Sequence, residues 1–127
     1  AVSWVHLKDG HILGSRSEGN DRYYIPGGKP LEGEGKHEAV VRETKEEMGV
    51  SLKAESIEFL GVFEAQADGQ PPGILVRLSC YTALYSGDLK PSSEVREIVW
   101  LTYSDRHLVA PADQLVFDFL YQRGTLK

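Results

Sequence analysis

One cysteine, no long apolar run and no surplus of positive charge are the first facts of this 127-residue chain. Cys80 alone cannot form an internal disulfide; set among apolar residues, it reads as a small core side chain in a reducing compartment, and the expected location is the cytoplasm. Without an apolar stretch approaching ~20 residues, no membrane-spanning helix is expected. No charged-then-apolar leader follows Ala1, so no signal peptide is expected either. Fourteen Lys and Arg against nineteen Asp and Glu leave a net charge of -5, which argues against a non-specific grip on polymeric nucleic acid and toward a small-molecule partner. Also missing are a G-x-S-x-G elbow, a P-loop and paired cysteines, so those nucleophile and phosphate-cradling systems have no support. His6, His11, His37 and His107 lack metal-ligand spacing and receive no role. The length suits one domain spanning residues 1–127.

What the chain does have is a glycine-rich turn followed by a helix loaded with glutamate. The spacing predicts a helix from Lys36 to Met48, with Gly35 as N-cap and Gly49 in the left-handed position past its end. At ~100° of rotation per residue, Glu46 lies about 60° to one side of Glu43 and Glu47 about 40° to the other, so the three side chains share a face. Like charges at these separations repel unless a cation or a positive side chain sits among them. Hard oxygen donors of this kind suit Mg²⁺ or Mn²⁺, held by carboxylates together with substrate phosphates.

The rest of the chain reads as strands and one further helix. Residues 2–7 and 11–15 flank Lys8-Asp9-Gly10 and are expected to pair as a hairpin. Residues 22–25 are expected as a short strand stopped by Pro26, and 55–67 as a strand with a bulge at Gly61. Residues 74–86, the most hydrophobic long run, are expected as a central strand paired with 55–67. A strand over 95–101 and a helix over 112–121 complete a mixed sheet with helices on its faces, an α/β fold.

Written out, Gly28, five residues, Glu34, seven residues, then Arg42-Glu43-Thr44-Lys45-Glu46-Glu47-Met48-Gly49-Val50 resembles the Nudix box, G-x5-E-x7-R-E-U-x-E-E-x-G-U, where U is a bulky aliphatic residue. The one departure is Thr44, a U position that normally faces the core; its hydroxyl is expected to bond a carbonyl one turn back. The resemblance implies an α/β/α sandwich and a divalent-metal-dependent hydrolase of the pyrophosphate link in nucleoside diphosphate derivatives, a nucleoside triphosphate above all, as in MutT-type members. It implies that Glu43, Glu46, Glu47 and the carbonyl of Gly27 bind metal, and that Gly28, Glu34, Arg42 and Gly49 shape the box, Arg42 pairing with Glu34. A hydrolase of ADP-ribose or nucleotide-sugar substrates and a nucleotide-sensing module without catalysis are the alternatives.

The catalytic base is open between Glu43 and a glutamate outside the box. Glu94 stands six residues before Trp100, the relation in which MutT-type members place a metal-binding glutamate, and Glu97 competes with it. For the ligand, the candidates are Arg16, which ends a strand as a phosphate-binding arginine does in MutT-type enzymes, Lys29 beside the glycine turn, and Asp113. Asp113 is read either as the N-cap of the last helix, which local preference favours, or as a residue reading a nucleobase edge. Tyr23, Tyr24 and Phe63 are read mainly as fillers of a sheet core.

Overall fold

The computed structural model describes residues 1–127. In chain order its strands are β1 (Val2–Trp4), β2 (Leu7–Lys8), β3 (His11–Ser17), β4 (Gly27–Gly28), β5 (Ser51–Leu52), β6 (Glu58–Gln66), β7 (Leu75–Thr82), β8 (Tyr85–Ser86) and β9 (Val95–Leu101). The two helices are α1 (Lys36–Met48) and α2 (Pro111–Gln122). A mixed sheet runs β4-β1-β7-β6, with β1 parallel to β7 and the other pairs antiparallel. An antiparallel sheet runs β2-β3-β9, and β5 pairs with β8 in a two-stranded ribbon.

Alternation along the strands divides the apolar side chains between two layers. Ile12, Leu78 and Cys80 pack under Val116, Phe117 and Leu120 of α2. Val2, Trp4, Leu13 and Tyr81 pack under Ala39, Val40 and Met48 of α1. Each large side chain taken fully out of water this way contributes about 1.5–3 kcal/mol, so each helix is fastened to its own face of the sheets. The result is an α/β/α sandwich with the acidic helix on one side.

Several local expectations change. Residues 2–7 do not form one hairpin arm: only Leu7–Lys8 pairs with β3, across a turn in which Asp9 (φ 52°) and Gly10 (φ 77°) are both left-handed. Val2–Trp4 instead lies parallel to β7, a pairing with a partner more than seventy residues away that no local pattern announces. Residues 22–25 make only isolated bridges, Tyr24 to Ser15 and Tyr23 to Val109. Residues 54–56 form a 3₁₀ turn before β6, and the run 74–86 breaks after Thr82, leaving Tyr85–Ser86 to pair with β5. The register of β6 against β7 shifts between Phe59 and Gly61, where the bulge was expected, and β7 is interior to its sheet.

Thr44 faces the core beneath α1, as its position in the box requires, but its Oγ1 is buried without a hydrogen-bond partner; the expected bond one turn back is not made. An unsatisfied buried hydroxyl costs about 1–3 kcal/mol, and an apolar group of the same shape removes that cost. Thr44→Val is therefore expected to raise the urea midpoint, a gain of about 1 kcal/mol, with the slope of the transition unchanged.

Candidate functional site

Helix α1 is bounded by two glycines. Gly35 caps its start in extended conformation and donates its N–H to Glu38 Oε1 at 3.0 Å, one half of a capping box. Gly49, left-handed at φ 71°, ends it and donates to the Lys45 carbonyl. The loop before β9 satisfies two more terminal carbonyls, Lys90 N–H donating to Met48 O and Ser92 N–H to Glu47 O, both at 3.0 Å.

Arg42 organises the charges. Its fork takes Glu34 through Nε to Oε2 at 2.8 Å and Nη2 to Oε1 at 2.9 Å, and Nη2 also reaches the Lys29 carbonyl at 3.2 Å. The same guanidinium sends Nη1 to Glu43 Oε1 at 3.0 Å and to both oxygens of Glu46 at 3.3 Å. Glu34, bonded to Arg42 and to the Leu31 N–H, is held down to about 2.

The three helical carboxylates share one face and neighbour one another, but the three do not stand as a preformed metal group. Arg42 draws Glu43 and Glu46 to a single nitrogen, while Glu47 turns toward the glycine turn, its Oε1 accepting the Gly27 N–H at 3.2 Å. They form a line, Glu46 beside Glu43 and Glu43 beside Glu47. Burial pushes Glu47 well above the ordinary carboxylate range, the Gly27 N–H pulls it back, and the neighbouring Glu43 raises it further. A Cβ at Gly28 would stand 2.5 Å from Glu43 Cδ and push that carboxylate aside, and one at Gly27 would strike the Val2 carbonyl and disturb the pairing with β1. A hard cation fits such a donor set. It would take negative oxygens that are crowded, partly dehydrated and incompletely matched by Arg42.

A cavity of about 340 Å³ opens beside Glu47 and the glycine turn. Its lining comes from separate segments: Ser3 on β1, Ser15 and Ser17 on β3, Asn20 and Tyr24 from the following loop, Asp68 after β6, and Asp113 on α2. No lysine or arginine side chain lines it.

Asp113 is not the helix cap. Ala110 holds that position with Pro111 at the first helical turn, and Asp113 sits inside the turn with only 5% of its surface exposed. Its Oδ2 accepts the Ile25 N–H at 3.2 Å; burial nevertheless pushes its carboxyl up to about 7. Burial, with Asp113 adding, also raises the Cys80 thiol to about 12, in keeping with a core cysteine.

Arg16 lies away from the cavity. Alternation on β3 turns Ser15 and Ser17 inward, and Arg16 instead donates Nε to Glu97 Oε1 at 3.1 Å and Nη1 to the Asn20 carbonyl at 3.3 Å. Glu97 also accepts the Tyr23 hydroxyl, and these two partners hold its carboxyl below the ordinary range, which makes it a poor base. Glu94 is exposed and meets the cavity segments through its backbone, its carbonyl accepting the Glu18 N–H at 2.9 Å. Lys29 stands next to Gly28, bound through its carbonyl to Arg42. Phe63 packs edge-on against Phe119 of α2 and is not part of the cavity lining, whereas Tyr24 is.

The fold and this cluster define an α/β/α sandwich in which a glycine turn abuts a glutamate helix at the mouth of a small cavity. The family model of the NUDIX domain matches residues 1–120, and the chain belongs to that family. It is 34% identical over 100 residues to the ADP-ribose pyrophosphatase of Methanocaldococcus jannaschii, an alignment covering 76% of this chain; the chain spans 57% of that relative's length. Among solved structures, the fold is similar to the MutT NUDIX hydrolase from Burkholderia pseudomallei (TM-score 0.76, 22% identity, 92% of this chain and 93% of that one). It is also similar to the E. coli ORF135 protein (TM-score 0.73, 24% identity, 96% and 88%).

The buried Asp113 gives stability a pH dependence. Between its ordinary value of 3.8 and about 7, the folded chain binds a proton that the unfolded chain has released. Its contribution is therefore complete below 3.8 and lost as pH rises through about 7. Asp113→Asn is expected to make the fall of the melting temperature across this range shallower, leaving the part that the raised Glu47 contributes, and to stabilise the protein at pH 8 by about 1 kcal/mol or more. Thermal melts from pH 4 to pH 8 measure both effects.

Proposed function

We propose that the protein is a Mg²⁺- or Mn²⁺-dependent pyrophosphohydrolase that cleaves the diphosphate link of a nucleoside diphosphate derivative, with a ribo- or deoxyribonucleoside triphosphate as the favoured substrate and the cytoplasm as its compartment. The observation that carries this reading is the crowded Glu43–Glu47 pair packed against the glycine turn and opening onto a cavity of about 340 Å³. That volume is at the lower end for small-molecule sites and suits a nucleoside.

On this reading Glu43, Glu46, Glu47 and the Gly27 carbonyl hold the metal. A bound divalent cation neutralises phosphoryl oxygens and acidifies water. Arg42 and Glu34 set the position of the carboxylates, and Gly28 and Gly49 provide the close approach and the helix end. Lys29 and Asp113 are the residues offered to substrate. The attacking water gives its proton to Glu43 or to Glu94; the latter's loop is stitched to the end of α1 through Ser92. Hydrolysis of ADP-ribose or a nucleotide sugar is the second reading, favoured by the similarity to an ADP-ribose pyrophosphatase.

Turnover of a panel of nucleoside triphosphates, ADP-ribose and nucleotide sugars with Mg²⁺ or Mn²⁺, with the phosphorus products identified, decides between these readings. Glu47→Gln is expected to lower kcat by about two orders of magnitude or more while retaining the fold by circular dichroism. Full activity in that variant, or no turnover of any substrate by the folded parent, sinks the proposal. For the base, Glu43→Gln and Glu94→Gln are compared by pH–rate profile, and the true base is the one whose loss removes the acidic limb.

A further inference from the structure

The loop between β6 and β7 forms one wall of the cavity, with Gln66, Ala67 and Asp68 in the lining. Gln66 makes this loop a stiff unit. Its Nε2 donates to the carbonyls of Ala67, Gln70 and Pro71 at 3.2, 3.1 and 2.9 Å, and its Oε1 accepts the Gly73 N–H at 3.0 Å. Polar ties from the loop to the rest of the molecule all go through one side chain. Asp68 Oδ2 takes Arg22 Nε at 2.8 Å and the Tyr24 hydroxyl at 3.2 Å. Both partners belong to the loop that follows β3, and each is fixed in turn. Arg22 donates Nη1 to the Val109 carbonyl at 3.3 Å and its N–H to Asn20 Oδ1 at 3.0 Å. Tyr24 exchanges backbone bonds with Ser15, at 2.8 and 2.9 Å.

We infer that Asp68 is a specificity-determining residue: it clasps the β6–β7 loop to Arg22 and Tyr24 and so closes the wall of the chamber that receives the group attached to the diphosphate. This rests on the reading of the cavity as a nucleotide site. The clasp is the polar link between two segments that both contribute side chains to the lining. A ligand filling the chamber is held in by the clasp, whereas the phosphorus end is held by the carboxylate helix. An ion pair this exposed contributes little to fold stability by itself, so its effect is expected in retention of the ligand.

Calorimetry on the full chain with Mg²⁺ tests this with two kinds of probe. One is a panel of α,β-methylene analogues of nucleoside triphosphates and of ADP-ribose; the other is methylenediphosphonate, which presents the phosphorus part alone. Asp68→Ala is expected to weaken the best-bound nucleotide analogue by about tenfold or more and to leave methylenediphosphonate within about twofold. Arg22→Ala should lose affinity in the same selective way, and the Asp68→Ala/Arg22→Ala pair should lose no more than the worse single variant, because the two act through one contact. Should Asp68→Ala not fold, Asp68→Asn and Tyr24→Phe, which keep the shape, carry the same selective expectation. Unchanged nucleotide affinity, equal loss for both probes, or a parent protein that binds no nucleotide analogue better than methylenediphosphonate overturns the clasp. Selective binding without turnover of any substrate removes the hydrolase reading and leaves the clasp standing; turnover with no effect of the Asp68 variants does the reverse.

Discussion

Carboxylates crowded on one face of a helix repel one another, and in this protein a single guanidinium makes the crowding tolerable. Arg42 gives the Nε–Nη2 edge of its guanidinium to Glu34 and turns the remaining nitrogen, Nη1, to Glu43 and Glu46. Lysine has no equivalent geometry, since a point charge cannot hold one carboxylate bidentately and still face two others. The arrangement leaves a gradient along the helix. Glu43 and Glu46 are partnered by Arg42, while Glu47, turned away from it and more deeply set, retains an unmet demand for positive charge. The fold thus carries a half-neutralised site, stable enough to form and still attractive to a cation.

The same crowding explains why the glycine turn sits where it does. β4 is only two residues long, but it brings backbone within reach of the helix carboxylates, Gly27 donating its N–H to Glu47 and Gly28 leaving room for the Glu43 carboxylate. Its antiparallel pairing with β1 transmits that position from the centre of the main sheet, since β1 is itself locked to β7. Local sequence makes the helix and the turn; a long-range parallel pairing fixes the distance between them.

This division marks what could be read in advance. Helix α1, its two glycine ends and the turn at Asp9-Gly10 depend on neighbours within about a dozen residues and were legible, while the Arg42–Glu34 pair was expected from the resemblance to the Nudix box. Asp113 was misplaced although a signal was present: Pro111 prefers the first helical position, which puts the cap at Ala110 and Asp113 on the inner side of the turn. Arg16 is a similar case, because period-2 alternation places it opposite Ser15 and Ser17, and which face was inward required knowing the cavity. Asp68 offered nothing, lying in a turn whose importance comes from residues more than forty positions away. The splitting of residues 2–7 between two sheets was equally hidden, for the apolar pattern is the same in either arrangement.

Charge at the cavity bears on how the proposed site would work. An anionic ligand entering there meets Glu47, Asp68 and Asp113 and no lysine or arginine side chain in the lining. Asp68 is offset by Arg22, Glu43 is partnered by Arg42, and burial holds both Asp113 and Glu47 above the ordinary carboxylate range, so neither gives up its proton readily. At an effective dielectric of ~20, each like-charge contact at about 4 Å costs about 4 kcal/mol, a large penalty for a diphosphate to overcome through hydrogen bonds alone. A divalent cation held by these carboxylates would favour their ionised form and offset the charge of the phosphorus oxygens. On the proposed reading, a metal therefore helps to hold the diphosphate as well as to activate water, and the far end of the cavity is left to select on shape and hydrogen bonding.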